Sequence, residues 1–479
     1  MKIRLARNAF VRQYGEYTYV LNRVQAFDQV YKNASVFFRW ITRKATDLEA
    51  VVARVIGSYG AEFAHEVESD FRRFVGDMVS ARIFVVGEDE RDMSKREEKF
   101  TYAVERPKTF ETFVPGKSNG WTITPQKLLD DYFETHPTIF RIVLDVTKAC
   151  TERCVHCYIP GYKPTHLPLA TAWRVLDEFQ AQGGVDVTIS GGECMLHPSF
   201  REIVQYARGK DLIVGILSNL TLCTDDMVSF LKKEEVTVQV SLYSMNPEVH
   251  DGITQLNGSW KKTHDAILRL HEADVACRIA CPTMKENYKD YLSVLSFART
   301  LKMDVQTDFI IMGKMNCDTS NLKHRLSLEE TRCVLKDVVS GVIDVNREYF
   351  DPAKKTLESD EDWGARRVCG ICENSICLDA EANYYPCPAF GGVILGNADK
   401  NSLNWVWRHS PETLKIRGIR GKDFARCIHC KDRNYCSICM CRNYNETGDM
   451  LLPAQHFCEV AKINHEVVDC YAKIGRDDL

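Results

Sequence analysis

No cysteine precedes Cys150 in this chain of 479 residues. No apolar run approaches the length of a membrane-spanning helix, so integral membrane classes are set aside. The opening Met1-Lys2-Ile3-Arg4-Leu5-Ala6-Arg7 carries charge where a signal peptide needs an apolar stretch, and a cytoplasmic protein is expected. Neither sign of charge dominates: Lys+Arg number 62 and Asp+Glu 66, a formal net charge of -4. That balance lacks the electrostatic footprint of a partner for nucleic acid or an anionic membrane. Low-complexity segments and internal sequence repeats are absent as well.

What is present is a globular composition, 45% apolar and 27% charged, in a chain too long for one ordinary core. Two to four domains are expected. The chain has twenty cysteines, three of them at 150–157 and ten within 369–458. A secreted disulfide scaffold would be short and would follow a signal peptide. Clustered thiols in a reducing compartment point instead to metal ligation.

Residues 1–87 have the pattern of a small separate domain. Tyr17-Thr18-Tyr19-Val20-Leu21 and Phe27-Asp28-Gln29-Val30-Tyr31 predict strands. A helix follows, with Thr46 and Glu49 as its capping box, Leu48, Val51, Val52, Val55 and Ile56 on one face, and Gly57 or Gly60 as its stop. A second amphipathic helix carries Phe63, Val67, Phe71, Phe74, Val75 and Met78. Strands and helices without a catalytic pattern suggest a binding module. A mixed-charge run at 88–99 predicts a solvated linker or exposed helix, and Pro115, Gly116 and Gly120 extend the connector to 135. From about 139, strands at 141–146, 185–190, 212–217, 236–242, 278–281 and 305–312 alternate with helices such as 169–179. That alternation argues for an α/β fold with a parallel sheet, open or rolled into a full or partial barrel. Cys150 and the Gly191-Gly192-Glu193 turn each follow a strand directly, so both face the mouth at the strands' carboxyl ends.

Cys150, Cys154 and Cys157 stand in the spacing C-x3-C-x2-C, followed by Tyr158. Three thiolates on one loop hold three irons of a cubane and leave the fourth open to an outside ligand, whereas ferredoxin-type clusters recruit a fourth cysteine. A zinc site is the competing explanation, but no fourth Cys or His follows at zinc-finger spacing. His156, inside the loop, is expected to be a neighbour of the site or exposed. Cys194, Cys223, Cys277, Cys281, Cys317, Cys333 and Cys470 are scattered and are expected to be packing or idle thiols.

Over roughly 139–335 the sequence resembles the radical S-adenosylmethionine (SAM) superfamily, on the cysteine motif with its trailing aromatic and on Ser190-Gly191-Gly192-Glu193. The resemblance implies a partial (β/α)6 TIM-type barrel, a 4Fe–4S cluster on Cys150, Cys154 and Cys157, and cleavage of SAM to a 5′-deoxyadenosyl radical. It also implies that the Gly191 and Gly192 backbone approaches the cofactor, that Glu193 accepts from its ammonium, and that Tyr158 lies against adenine. Ser218, Asn219 and Ser241 resemble positions that reach the cofactor's carboxylate or ribose.

The later cysteines run Cys369-x2-Cys372-x4-Cys377-x9-Cys387, then Cys427-x2-Cys430-x5-Cys436-x2-Cys439-x-Cys441, then Cys458. From 336 to 479 this resembles a SPASM domain, which carries two auxiliary 4Fe–4S clusters, with Ala382 in place of the family glycine. The resemblance assigns Cys369, Cys372, Cys387 and Cys439 to the nearer cluster, and Cys427, Cys430, Cys436 and Cys458 to the outer one. The family's spacing falls on Met440, so Cys441 competes with Cys439, and Cys377 with Cys369. Paired zinc ribbons are the alternative.

Residues 1–87 resemble PqqD-like, winged-helix peptide-recognition (RRE) domains, on strand–strand–helix order and on Asn33 before Phe37-Phe38. Such domains bind an extended leader peptide as an added strand; an ordinary structural or dimerising domain is the alternative. Together the three resemblances imply an enzyme that matures a ribosomally made peptide, with flavodoxin or ferredoxin as electron donor. The expected reaction is thioether formation from substrate cysteines, because an auxiliary cluster can take up the electron released on ring closure. Carbon–carbon cross-linking, epimerisation and sulfatase-type maturation are alternatives. A peptide-binding iron–sulfur or zinc scaffold without activity is another.

Overall fold

Residues 1–22, 27–32, 34–98, 125–339 and 359–474 are described by the computed structural model. Asn33, Pro115, Gly116 and Gly120 lie outside the described residues, as does 340–358 within the cysteine-rich region.

In the N-terminal module Ala9–Tyr14, Tyr17–Asn22 and Phe27–Lys32 form an antiparallel meander. A second sheet places Lys2–Leu5 between Thr46–Asp47 and Phe84–Gly87. The sequence pattern did not register Lys2–Leu5, Ala9–Tyr14 or Phe84–Gly87. Helix Leu48–Ile56 is capped by Asp47, whose carboxylate accepts from Ala50 N at 3.0 Å. This corrects the expected Thr46 capping box: the cap falls one residue later, and Thr46 Oγ1 donates instead to Lys44 O at 3.3 Å. Gly57 ends the helix, and Val51, Val55, Phe71, Met78 and Phe84 close the module's core. The mixed-charge run contains helix Glu90–Glu97, with Met93 fully buried and Glu97 gripping Arg4 through two hydrogen bonds of 2.6 and 3.0 Å. It packs back onto the module.

Six parallel strands follow: Arg141–Thr147, Asp186–Gly191, Ile213–Ser218, Thr237–Ser241, Cys277–Pro282 and Asp304–Asp308, each hydrogen-bonded to the next. Ile142, Leu144 and Val146 are buried toward the helices, which turns Val143 and Asp145 inward, as strand alternation requires. This is the α/β partial barrel the sequence implied. The sheet does not stop at its sixth strand. Ser375–Leu378, from the cysteine-rich region, lies parallel beside Arg141–Thr147 with Cys377 opposite Val143, and the short strands Asn383–Tyr385 and Gly396–Asn397 extend it. Helix Gln455–Ile474 docks on helix Leu328–Val339 through Leu335, Ile463 and Val467. Among the described residues no helix is long and apolar enough to cross a membrane.

The lower end of the barrel repeats one turn. Gly184 N, Leu212 N, Val236 N, Val275 N and Met303 N each donate to a carbonyl five residues earlier, at 2.9–3.2 Å. The residue before each donor has positive φ: Gly183, Asp211, Glu235, Asp274 and Lys302. These are Schellman endings, which close each helix and start the next strand. The meander sits against this end. Phe10, Tyr14 and Tyr19 pack with Phe140, Val185 and Ile213, which stand at the strand starts, and Arg12 and Arg43 reach Asp211.

Candidate functional site

At the upper end, strand Arg141–Thr147 runs into the cysteine loop. Thr147 Oγ1 donates to Thr165 O at 3.1 Å and accepts from Ala149 N at 3.0 Å, which fixes the loop's entry. Arg153 N and Val155 N donate to Thr254 O and Ile253 O, both at 2.9 Å, tying the loop to helix Pro247–Thr254. Cys150, Cys154 and Cys157 carry free thiols close enough to act on one another's ionisation. Burial pushes Cys150 up to about 12 against the opposing hydrogen bond from Glu152 N at 3.4 Å. Protein groups alone therefore do not hold its thiolate; a cationic partner such as iron would. Glu152 itself is 3% exposed and accepts from Cys154 Sγ at 3.2 Å, and burial raises its carboxyl to about 7.

The next strand ends in the glycine turn. Gly191 has φ +127, and a methyl group there would lie 2.3 Å from Thr147 O; one on Gly192 would lie 2.2 Å from Ala149 O. Gly192 N and Glu193 N donate to those same carbonyls at 2.8 Å. The glycines thus let the turn press on the backbone that enters the cysteine loop. The Glu193 carboxylate is fully buried: Oε1 accepts from Ser218 Oγ at 2.9 Å and Met195 N at 3.1 Å, and Oε2 from Asn219 N at 2.8 Å. A carboxylate oxygen has two acceptor sites, so Oε2 keeps one for a further donor. Burial is the main cause raising Glu193 above the usual carboxylate range, and its four donors, the fourth being Cys194 Sγ on Oε1 at 3.7 Å, oppose it.

Ser218 is thus turned to Glu193, while Asn219 Nδ2 donates to Thr151 Oγ1 at 2.9 Å, inside the cysteine loop. Ser241 hydrogen-bonds Tyr243, whose ring meets His156 edge-on at 5.2 Å. His156 is half-buried and enclosed, and burial lowers it to about 4. The Tyr158 phenol lies where Asp145, Cys157, Cys377 and Cys387 act on it, and burial pushes it well up.

Three residues escaped the sequence reading. Asp145 faces the barrel interior, hydrogen-bonded to Ser190 and to Cys377 Sγ at 3.6 Å, and burial raises it to about 7. Its signal was a charge at an inward position of an apolar strand. Asp308 ends the sixth strand, accepts from Ile310 N at 2.8 Å and feels Arg442 through space. Arg442 has no sequence signal, since its surroundings come from distant segments.

The later cysteines gather in two sets. Cys427, Cys430, Cys436 and Cys458 act on one another, as do Cys369, Cys372, Cys387 and Cys439 through shared neighbours. Cys441 lies between Cys387 and Cys439 and hydrogen-bonds both, while Cys377 is turned to Asp145. All are free thiols, the donor chemistry of iron–sulfur ligation. Among the described residues no three Cys, His, Asp or Glu side chains converge as around a single ion.

Residues 144–298 match the Radical SAM superfamily. The chain is 25% identical over 339 residues to the AdoMet-dependent heme synthase of Methanosarcina barkeri, covering 65% of this chain and 93% of that protein. It is 29% identical over 160 residues to the antilisterial bacteriocin subtilosin biosynthesis protein AlbA of Bacillus subtilis, covering 32% and 35% respectively. The fold is like that of Streptococcus suis SuiB bound to precursor peptide SuiA, with a TM-score of 0.60 at 15% identity, covering 96% of this chain and all of that one. Residues 144–298 thus carry a radical SAM domain, which implies S-adenosylmethionine and a 4Fe–4S cluster, and the chain is an enzyme.

Proposed function

We propose that this enzyme matures a ribosomally made, leader-bearing peptide by forming carbon–sulfur cross-links from substrate cysteines. The carrying observation is the barrel mouth: a three-thiol loop braced by a glycine turn, beside a buried carboxylate with one acceptor site left. The full-length likeness to a protein crystallised with its precursor peptide supports a peptide substrate. So does similarity to a PqqA peptide cyclase of Granulibacter bethesdensis, 25% identical over 67% of this chain and 89% of that protein.

In this reading Cys150, Cys154 and Cys157 hold the radical cluster. Cluster and S-adenosylmethionine, when bound, supply the radical that takes hydrogen from a substrate carbon. The chain's own residues orient. Glu193 Oε2, with its remaining acceptor site, would accept from the cofactor ammonium, a charge-assisted contact. The Gly191–Gly192 backbone, Ser218, Asn219 and Ser241 would hold its carboxylate and ribose, and Tyr158 would hold its adenine. Residues 1–87 dock the leader, 88–135 connect, 136–335 form the catalytic barrel, and 336–479 hold two auxiliary clusters on the cysteine sets above. Flavodoxin or ferredoxin donates the electron.

The test is anaerobic turnover with the short peptide encoded beside the gene, read by mass spectrometry. A thioether removes two hydrogens per link and protects the participating cysteine from alkylation. The same mass loss with every cysteine still alkylated would replace the thioether by a carbon–carbon link. No mass change, with 5′-deoxyadenosine still formed, would reject that peptide as substrate.

A further inference from the structure

Cys157 is gripped on both sides by one segment. Met315 N donates to Tyr158 O at 2.9 Å. Asn321 Nδ2 donates to His156 O at 3.1 Å and to Met312 O at 2.9 Å. Residues 312–321, beyond the sixth strand, thus hold the carbonyls of the residues before and after Cys157.

The same segment is held from the cysteine-rich region. Asn445 is fully buried on helix Met440–Thr447, which begins directly after Cys439. Its Nδ2 donates to Gly313 O at 2.9 Å and to Ala389 O at 3.1 Å. Ala389 closely follows Cys387, so this tie lies beside the nearer cysteine set. A second double glycine presses from the same side. A methyl group on Gly391 would lie 2.7 Å from Met315 O, and one on Gly392 would strike the Tyr444 ring. Arg325 adds a further tie, donating to Ile311 O at 2.6 Å and to Glu446 at 3.0 Å.

An amide nitrogen has two hydrogens to give. In Asn321 and Asn445 both are spent on carbonyls of separate segments, and the reversed amide would set its oxygen against two others. Each side chain therefore has one orientation. Removing it leaves two carbonyls short of a donor in a place where that is costly.

We propose that residues 312–321 are a strap that fixes the radical-cluster loop against the nearer cysteine set, with Asn445 as its positioning residue, and that the strap governs what share of radicals becomes product. This rests on the peptide-maturase reading and deepens it. In that reading the cysteine loop fixes where hydrogen is taken, and the cysteine-rich region serves the closure of the new bond. Displacing one against the other should spare the first step and spoil the second, since a reaction between held groups is steep in their separation.

Two measurements on full-length Asn445→Ala test this. The first is hydrogen–deuterium exchange read by mass spectrometry, which needs neither peptide nor turnover. Exchange should quicken by about tenfold, one lost hydrogen bond's worth, across 312–321 and the cysteine loop. The turn at Leu212 should not change. Unaltered exchange in the cysteine loop would overturn the strap. The second is anaerobic turnover of iron-replete protein with the precursor peptide. Product per 5′-deoxyadenosine should fall about tenfold, with 5′-deoxyadenosine itself formed within about twofold of the wild-type rate. A merely structural lesion would lower both together, and that parallel fall would overturn the proposal, as would an unchanged ratio. Should Asn445→Ala fail to fold or hold iron, Asn445→Asp, which keeps the size and removes both donors, is judged by the same outcomes. Wild-type protein that forms 5′-deoxyadenosine but leaves the peptide unmodified would defeat the maturase reading. The effect on product would fall with it, while the exchange result would still decide the strap.

Discussion

At the lower end of the barrel, five helix-to-strand turns share one hydrogen bond, although only one of the five left-handed positions is glycine. At the upper end each strand leaves by a turn of its own: a cysteine loop, a double glycine, a Ser–Asn pair, a tyrosine-linked serine. The lower turns accommodate Asp, Glu and Lys at the left-handed position even where meander side chains reach them, as Arg12 and Arg43 reach Asp211. The upper glycines have no such freedom, since another backbone lies within 2.3 Å of where a side chain would begin. One end answers to the fold and the other to a specific neighbour. Substitutions should therefore separate stability from chemistry according to the end they touch.

The sharpest test of the upper end replaces Cys150, Cys154 and Cys157 together with alanine. Formation of 5′-deoxyadenosine should fall to background with the circular dichroism spectrum unchanged, and about eight irons, as two cubanes, should remain. Undiminished cleavage would end the radical reading. Next comes Gly192→Ala, whose methyl group would meet Ala149 O at 2.2 Å. Displacing the loop by a comparable amount should cost about 100-fold in cofactor cleavage, measured as initial rates on iron-replete protein. A smaller effect is expected below. Asp211→Asn keeps a residue that accepts φ +59 but removes the anion facing Arg12 and Arg43. At a half-exposed site this should cost on the order of 1 kcal/mol of stability. Denaturant unfolding measures it, and cleavage per folded molecule should not change. A loss of cleavage as large as that of Gly192→Ala would erase the distinction between the two ends.

The comparison also explains what was legible in the sequence. The six barrel strands were visible because apolar alternation and interposed helices are local patterns. The cysteine loop and glycine turn were visible because each is a contiguous motif. The Thr46 cap was misassigned by one residue, because Thr46 and Asp47 are both capping residue types and the helix begins after the second. Asp145, Asp308 and Arg442 were missed because a lone charge acquires meaning only when remote segments surround it. The repeated lower turn was hidden by its varied residues, since the chain repeats a backbone conformation and not a sequence.

If residues 1–87 dock the leader as proposed, the placement of the N-terminal meander sets a length requirement on the substrate. It is fastened to the lower end of the barrel, while the cysteine loop opens at the upper end. The first strand alone, seven residues long, spans roughly 23 Å at about 3.3 Å per residue. A peptide anchored by its leader on the module must cross at least that height before any of its atoms reaches the mouth. Even fully stretched, it needs about seven residues to do so. Residues close to the anchored segment are therefore out of reach, whatever their chemistry, so a tether of fixed minimum length would itself select the sites of modification.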